Sequence, residues 1–144
     1  MKVYLAGGFR SGWQDVVIRL ASHHAFLDPR MHGLTEERDY TKWDLDAIKE
    51  SDLVFAYLEK DNPSGAGLAL EIGYAYALGK VIIFVEEPGH PHSRYFGMAR
   101  QCAYRLYNDL DEGANFLSSY SYEGTDFGLD NLVDESIDFL VDLF

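Results

Sequence analysis

The sequence predicts an α/β domain of three layers, in which helices cover both faces of a five-stranded, mostly parallel sheet. Two observations predict this class. Short segments such as Leu53–Leu58 and residues 81 to 85 are apolar without interruption, as expected of parallel strands buried on both faces. Helical patterns separate these segments along the chain, and such alternation is typical of parallel sheets covered on both sides.

The N-terminal third of the chain starts with a strand, a glycine turn and a helix. Residues 3 to 6 form a β-branched and aromatic run that ends at Gly7-Gly8, and a helical pattern follows over about residues 12 to 23. A second strand, residues 25 to 28, runs into Pro29 and then into a polar segment without periodicity to about residue 40. Loops of this length are commonly functional.

The remaining elements continue the alternation. Thr41 is predicted as the N-cap of a helix that ends near Ser51, before the strand Leu53–Leu58. After turn residues at 61 to 65, a helix over about 67 to 78 ends at Gly79, since glycine commonly follows a helix. A fourth strand at 81 to 85, a weaker fifth at 104 to 107 and an amphipathic helix at about 129 to 143 complete a flavodoxin-like class of fold.

Composition and charge narrow the range of partners. The 144 residues are 47% hydrophobic and 15% aromatic, which suits one domain over residues 1–144. A net charge of -12 opposes binding to nucleic acid or to an anionic membrane, so we expect neither. Cys102 is the sole cysteine and the histidines are scattered, so we expect no disulfide, metal ion or other cofactor. Without a signal-peptide pattern or a long apolar stretch, the expected location is cytoplasmic.

A ligand site is expected beyond the carboxyl ends of the strands, where open parallel sheets bind their ligands. Three loops meet at this edge, residues 7 to 13, 28 to 40 and 61 to 67. The first loop is similar to a phosphate-cradling turn, but it lacks the GxGxxG and Walker spacings and the Walker lysine. Its Phe9 and Trp13 offer an alternative to phosphate binding, because aromatic rings stack on planar bases.

Glu71 is the first candidate for chemistry. It is the one charged residue in the helical segment of residues 67 to 79, whose other residues are typical of a helix buried all round. A buried carboxylate needs a partner or a function. Its place near the positive end of the helix dipole favours the ionised form that a nucleophile needs. The alternative is a helix-start charge that pairs with an arginine, and the residues alone favour neither.

Asp44 and Tyr4 are the second and third candidates. Asp44 shares a helix face with Ala47 and Ile48, so it points inward. Two inward carboxylates from separate elements suit glycosyl chemistry, in which one attacks the sugar and the other protonates the leaving group. Asp44 could instead cap or anchor the long loop before it. Tyr4, on the first strand, is placed to orient a neighbouring carboxylate, although most strand tyrosines belong to the core.

Three segments together resemble the nucleoside 2-deoxyribosyltransferase family. They are the strand and turn with Tyr4 (VYLAGG), the helix with Asp44 (WDLDAIKESD) and the helix with Glu71 (GLALEIGYA), in the family's order and spacing. The resemblance implies that Glu71 attacks the anomeric carbon of a 2'-deoxynucleoside, that Tyr4 orients it, and that Asp44 helps to protonate the departing base. The deoxyribosyl ester then passes to a second base, or slowly to water.

The resemblance also implies which residues hold the substrates, 2'-deoxynucleosides and free nucleobases. They lie in the three edge loops and in a later segment: Gly7, Gly8, Phe9, Asp28, Arg30, Ser64, Gly65, Gly67, Ser93, Arg94 and Tyr95. The segment of residues 93 to 98 resembles a family stretch that enters a neighbouring subunit's pocket, so we expect a homo-oligomer, a dimer or larger.

Two departures from the family pattern stand out. The segment of residues 93 to 98 lacks the asparagine that is typical of the transferases. Gly65 stands six residues before Glu71, where many members have an aspartate that contacts the sugar or the base. We expect Asp61, Asn62 or Ser64 to substitute for that aspartate.

Other functions remain open. Related hydrolases of deoxynucleoside 5'-monophosphates share the three catalytic residues but bind phosphate through serines, one of them at the position of Gly65. In this chain Arg10, Arg30 and Arg94 would contact the phosphate, although the glycine and the acidic composition favour nucleosides. A nucleoside-binding module without catalysis would suit the same fold. A signalling receiver is disfavoured, because the third strand ends at Leu58 instead of at an aspartate.

Overall fold

The computed structural model describes residues 1–120 and confirms the predicted α/β class. Its five strands are all parallel and lie in the order β2-β1-β3-β4-β5, which is the flavodoxin-like order. The strands are β1 (Lys2–Gly7), β2 (Ala25–Leu27), β3 (Leu53–Leu58), β4 (Val81–Glu86) and β5 (Arg105–Tyr107). Each corresponds to a predicted strand.

Helices cover both faces of the sheet. The α-helices are α1 (Trp13–Leu20), α2 (Glu37–Glu50), α3 (Ala66–Ala77), α4 (Gly97–Cys102) and α5 (Leu110–Ser119), and two short 3-10 helices span Pro29–Met31 and Ser93–Phe96. α1 and α5 pack together on one face, whereas α3 packs against α2 and α4 on the other. The helix predicted at about 129 to 143 lies outside the described residues. Within residues 1–120, every helix is too short or too polar to span a bilayer.

Alternate residues of β1, β3 and β4 enter two separate cores. On β1, Val3 and Leu5 join the core beneath α1 and α5, whereas Tyr4 and Ala6 join the core beneath α2 and α3. All four are fully buried. Burial on both faces explains why the strands are apolar without alternation. It also places the Tyr4 side chain on the same face as the helices that carry Asp44 and Glu71.

The helices differ from the prediction at three places. α2 begins at Glu37, with Glu36 as its N-cap, and not after Thr41. Its first turns are exposed and polar, so they carry no apolar periodicity to reveal them. α4 and α5 were not predicted. α5 does have a sequence signal, because Asp109 caps it by accepting a hydrogen bond of 3.1 Å from the Glu112 N–H.

Candidate active site

Three elements on one face of the sheet bring the predicted catalytic residues together. Tyr4 comes from β1, Asp44 from α2 and Glu71 from α3. The buried Tyr4 hydroxyl donates a short hydrogen bond to Glu71 Oε2. Asp44 lies close enough for its charge to raise the pKa of both Tyr4 and Glu71. A tyrosine and two carboxylates therefore lie in one cluster, which we call the Tyr4–Asp44–Glu71 group.

The Glu71 carboxyl is hydrogen-bonded but has no ion-pair partner in the described part of the chain. Within residues 1–120 no lysine, arginine or histidine forms an ion pair with it, so the interpretation as an arginine-paired helix charge is wrong. The pKa of Glu71 is raised to about 7: burial is the largest cause, the Tyr4 hydrogen bond opposes it, and the negative charge of Asp44 adds a smaller increase.

This pKa differs from the expectation that the helix dipole keeps Glu71 ionised. Glu71 is the sixth residue of α3, and the effect of a helix dipole falls off within the first turn. Desolvation therefore dominates. A carboxyl with a pKa near 7 is ionised in about half of the molecules at neutral pH, and the ionised form is a desolvated carboxylate.

Tyr4 acts as a donor. Burial, and after it the neighbouring Glu71 carboxylate, raises the pKa of Tyr4 far above its usual range, so the hydroxyl keeps its proton. Its ring is packed in the core with no exposed surface. Tyr4 can therefore fix the orientation of Glu71 without competing for a proton.

Asp44 has a partner that the sequence did not reveal. Its Oδ1 lies 3.3 Å from His32 Nε2, and the two side chains are 24% and 8% exposed, respectively. Burial raises the pKa of Asp44, and the His32 hydrogen bond acts in the opposite direction. A raised pKa suits a group that must give a proton to a leaving base. The available signal was a histidine in the polar segment that leads to the Asp44 helix.

The glycine turn after β1 is held from below. A Cβ at Gly7 would lie 2.6 Å from the Tyr57 carbonyl oxygen, so the close approach of two strands requires glycine there. The Gly8 carbonyl accepts hydrogen bonds from Trp13 Nε1 at 2.8 Å and from Gln14 Nε2 at 3.0 Å. Trp13 is buried, so its predicted stacking on a base is wrong. Phe9 is 56% exposed and remains a candidate for that contact.

Asp28 and Arg30 bind each other. Arg30 donates to the buried Asp28 carboxylate through Nε and Nη2, and Nη2 also donates to Asp15 at 2.8 Å. Two carboxylates thus neutralise this guanidinium, which disfavours Arg30 as a phosphate contact. The charge of Asp28 also acts on Tyr4, so this pair borders the Tyr4–Asp44–Glu71 group.

Neighbouring side chains explain why position 65 is a glycine, because they leave no room for a Cβ atom. Gly65 precedes α3 with a φ of +77°, and an added Cβ would lie 2.6 Å from Phe96 Cζ and 3.0 Å from Leu58 Cδ1. Phe96, from a distant segment, thus fills the space that a side chain at position 65 would enter. The neighbouring Ser64 Oγ accepts the Ala66 N–H at 3.2 Å at the start of α3, and Gly67 is exposed.

Some side chains of the segment of residues 93 to 98 pack against their own chain, and others are exposed. Ser93 Oγ donates to Glu86 at 2.8 Å and Phe96 is buried, so both are committed to their own subunit. Arg94 lies over the Tyr95 ring, 4.6 Å from its centroid, and Tyr95 is 66% exposed. The predicted contacts of Arg94 and Tyr95 with a neighbouring subunit remain predictions.

An acidic cavity borders the glycine turn. Its volume is about 710 Å³ and its lining residues are Arg10, Ser11, Tyr57, Glu59, Asp61 and Glu87. Ser11 donates a short hydrogen bond to the buried Glu59, whose Oε2 lies 3.6 Å from the Cβ position of Gly8. Within residues 1–120 no group of three acidic, histidine or cysteine side chains could hold a metal ion.

Sequence and structure comparisons identify relatives of this chain. A family model described as "Nucleoside 2-deoxyribosyltransferase like" matches residues 1–88. No curated protein is significantly similar to this chain in sequence.

Solved structures of similar fold cover most of the chain. A 2-deoxyribosyltransferase from Bacillus psychrosaccharolyticus is 25% identical, with a TM-score of 0.63 over 85% of this chain and 94% of that chain. A CMP N-glycosidase from Clostridium botulinum is 23% identical, with a TM-score of 0.61 over 84% and 100%. A 2-deoxyribosyltransferase from Leishmania mexicana is 20% identical, with a TM-score of 0.64 over 83% and 99%.

Proposed function

The chain belongs to the nucleoside 2-deoxyribosyltransferase-like family, and on that basis we propose that it exchanges the nucleobases of 2'-deoxynucleosides through a covalent deoxyribosyl ester on Glu71. The observation that carries this proposal is the Tyr4–Asp44–Glu71 group. The Glu71 carboxyl, which forms no ion pair with residues 1–120, is oriented by a buried hydroxyl and lies beside a second carboxyl with a raised pKa. Deoxyribosyl transfer and N-glycoside cleavage, the activities named for its structural neighbours, both break an N-glycosidic bond.

In the first half-reaction, the Glu71 carboxylate attacks the anomeric carbon as the bond to the base nitrogen breaks. The electron pair of that bond stays with the base, and Asp44 supplies the proton that neutralises it. The missing 2'-hydroxyl favours this step, because the transition state resembles an oxocarbenium ion. Tyr4 holds Glu71 in place through its hydrogen bond.

In the second half-reaction, a free base attacks the same carbon and Glu71 leaves as a carboxylate. The incoming base loses its proton to Asp44, which restores the acid for the next cycle. Two successive inversions give net retention at the anomeric carbon. Water can replace the incoming base, but it then yields free deoxyribose instead of a new nucleoside.

The substrate is proposed to lie over the sheet edge, where the loops with Gly8, Phe9, Ser64 and Gly67 meet. Phe9 offers an exposed ring for stacking on the base. Since Gly65 has no side chain and Phe96 occupies the space beside it, the contact to sugar or base that the family resemblance implies at this position must come from elsewhere. Among the predicted substitutes, Asn62 lies nearest to the turn, with Nδ2 3.4 Å from the Cβ position of Gly8.

A homo-oligomer that completes each site from a neighbouring subunit is part of the proposal. α3 is apolar on its outward face, where Leu70 and Tyr76 are 61% and 60% exposed. Met98, beside Tyr95, is 86% exposed. Exposed apolar side chains mark a protein interface where they form one contiguous patch, and the proposal requires that these residues do so. The composition fits a cytoplasmic enzyme that meets its nucleosides there.

Incubation with 2'-deoxyinosine and free adenine tests the transferase reaction. Chromatography should show 2'-deoxyadenosine together with at least an equal amount of hypoxanthine, and mass spectrometry of the stopped reaction should show one deoxyribosyl group on the peptide with Glu71. Glu71→Ala should give neither product. Glu112→Gln, on the opposite face of the sheet, is the matched control and should remain active. Failure of the wild-type protein to form 2'-deoxyadenosine would contradict the transferase assignment.

The second candidate is hydrolysis of a deoxynucleoside 5'-monophosphate, and the observation that favours it is Arg10. This exposed cation lies at the cavity, beside the glycine turn. Against it stand Glu59, Asp61 and Glu87, which line the same cavity and would repel a phosphate. Release of base from 2'-deoxycytidine 5'-monophosphate without an acceptor, lost in Arg10→Ala, would establish the hydrolase. A nucleoside-binding module without catalysis would instead bind 2'-deoxyinosine saturably and release no base.

Mixing two inactive variants tests the shared site. If Tyr95 acts in the neighbouring subunit's pocket, Tyr95→Ala and Glu71→Ala should each be inactive alone. Subunit exchange between them should restore activity, because some pockets then combine a native Glu71 with a native Tyr95. Native mass spectrometry verifies that the subunits have exchanged. If activity does not recover after exchange, Tyr95 lies outside the neighbouring subunit's pocket.

A further inference from the structure

We propose that His32 is a positioning residue for Asp44, a role that rests on the proposed function. His32 holds one carboxylate oxygen of Asp44, so that the other is directed at the base. It also stabilises the carboxylate that forms when Asp44 gives up its proton. The site residues suggested by sequence do not include it, and its hydrogen bonds define this role.

The hydrogen bonds of His32 determine which ring nitrogen carries the proton. The backbone N–H of Leu34 donates to His32 Nδ1 at 2.9 Å. A backbone N–H can only donate, so Nδ1 carries a lone pair. In the neutral ring the proton is then on Nε2, which lies 3.3 Å from Asp44 Oδ1. His32 therefore presents a donor to Asp44.

The backbone and an aromatic ring hold His32 in place. Gly33 has a φ of +61°, which turns the chain so that the Leu34 N–H reaches back to the imidazole. The imidazole packs edge-on against Trp43, with ring centroids 4.8 Å apart. Trp43 directly precedes Asp44 on α2, so ring and carboxyl are fixed relative to each other. The imidazole is already oriented before the reaction begins, so no reorganisation energy is needed when charge develops on Asp44.

A donor on Asp44 Oδ1 has two consequences for proton transfer. First, Oδ2, which has no hydrogen bond to any side chain within residues 1–120, is the oxygen left for the base. Second, a hydrogen bond to a carboxylate is stronger than one to a neutral carboxyl. His32 therefore stabilises Asp44 more after it has protonated the leaving base than before, which lowers the barrier to departure.

The other titratable groups near Asp44 do not favour its ionised form. Glu71 on α3 faces it with a like charge, and Tyr4 on β1 carries a hydroxyl that is already committed to Glu71. Asp28, which follows β2, acts on Tyr4 from the same edge but is neutralised by Arg30. Among the described residues, His32 is the group whose hydrogen bond favours the ionised form of Asp44.

Two variants of His32 distinguish its hydrogen bond to Asp44 from its contribution to the local fold. In His32→Asn the amide reaches only the position of Nδ1, so it can still accept the Leu34 N–H but cannot reach Asp44. In His32→Gln the longer amide can donate from the position of Nε2. Both are assayed with 2'-deoxyinosine, whose base needs a proton to leave, and with 7-methyl-2'-deoxyguanosine, whose cationic base leaves without one.

His32→Asn should lower kcat on 2'-deoxyinosine by roughly 10- to 100-fold, the effect of losing a hydrogen bond to a charged group, with little change in KM. Cleavage of 7-methyl-2'-deoxyguanosine should be nearly unchanged. His32→Gln should recover most of the lost rate. In His32→Asn the pKa of Asp44 should rise, because the effect of its burial is then unopposed by the His32 hydrogen bond.

Equal losses on both substrates, or no loss on either, would overturn the role of His32. Carboxyl-carbon NMR titration of Asp44 gives a readout without turnover, and an unchanged Asp44 pKa in His32→Asn would also overturn it. A wild-type protein that cleaves neither substrate would instead contradict the proposed function, whatever the NMR titration shows. The two failures are therefore distinguishable.

Discussion

Tyr4→Phe removes one hydroxyl from the centre of the Tyr4–Asp44–Glu71 group and leaves the ring in place. Because the ring is fully buried among apolar side chains, phenylalanine fills the same space. The main change is loss of the hydrogen bond from the hydroxyl to Glu71 Oε2. That bond stabilises the carboxylate, so its loss must raise the pKa of Glu71.

The size of the effect follows from the energy of one hydrogen bond. A hydrogen bond to a charged group contributes about 1.5 to 3 kcal/mol, and about 1.4 kcal/mol corresponds to one pH unit. The pKa of Glu71, about 7 in the wild type, should therefore reach roughly 8 to 9 in Tyr4→Phe. At pH 7 the ionised fraction falls from about one half to roughly 1 to 10%. The rate of ester formation should fall about 5- to 50-fold from ionisation alone.

A pH profile of kcat/KM for base exchange measures this shift. Activity should rise with pH as Glu71 ionises, and in Tyr4→Phe this rise should occur at higher pH, so that the deficit at pH 7 shrinks near pH 9. Tyr107→Phe, which removes a hydroxyl on the opposite face of the sheet, should keep the wild-type profile. A uniform loss of activity at every pH would refute the electrostatic explanation and indicate that Tyr4 only positions Glu71.

Three further predictions concern stability and proton transfer. Glu71 keeps its proton up to about pH 7 in the folded protein but loses it near its ordinary pKa of 4.5 in the unfolded chain. The folded state therefore loses stability progressively as the pH rises between these two values, and the loss reaches roughly 3 kcal/mol above pH 7. Glu71→Gln should therefore raise the free energy of unfolding at pH 8 and leave it nearly unchanged at pH 4; urea titrations that show destabilisation at pH 8 would contradict this. Asp44→Asn should slow exchange of 2'-deoxyinosine by about 10²- to 10⁴-fold but should slow cleavage of 7-methyl-2'-deoxyguanosine far less, because that base leaves without a proton. Equal losses on both substrates would contradict the role of Asp44 as the acid. Gly65→Ala should lower the free energy of unfolding by about 2 to 4 kcal/mol, because position 65 has a positive φ and the new methyl group would collide with Phe96. Phe96→Leu should destabilise the Gly65→Ala protein less than it destabilises the wild type. Additive effects of the two substitutions in thermal unfolding would show that the Phe96 ring does not exclude a side chain at position 65.

Elements that depend on local periodicity were predictable. β1, β3 and β4 are apolar runs that helices bury on both faces, so their pattern was visible without knowledge of their neighbours. The inward direction of Asp44 followed from its spacing to Ala47 and Ile48, which are buried. By contrast, the start of α2 was missed because its exposed polar turns carry no such spacing.

The amino-acid sequence by itself determined the class of fold, the edge where a site can form and the carboxylates that reach it, because hydrophobic spacing and strand direction act over a few residues. Only the tertiary structure decided the state of those carboxylates. The pKa of Glu71 depends on desolvation by the surrounding core and on Tyr4, 67 residues away in the chain. The exclusion of a side chain at Gly65 depends on Phe96, and the proton on His32 depends on a backbone turn. Desolvation and hydrogen bonding sum over all neighbours in space, so they are determined only when distant segments pack together.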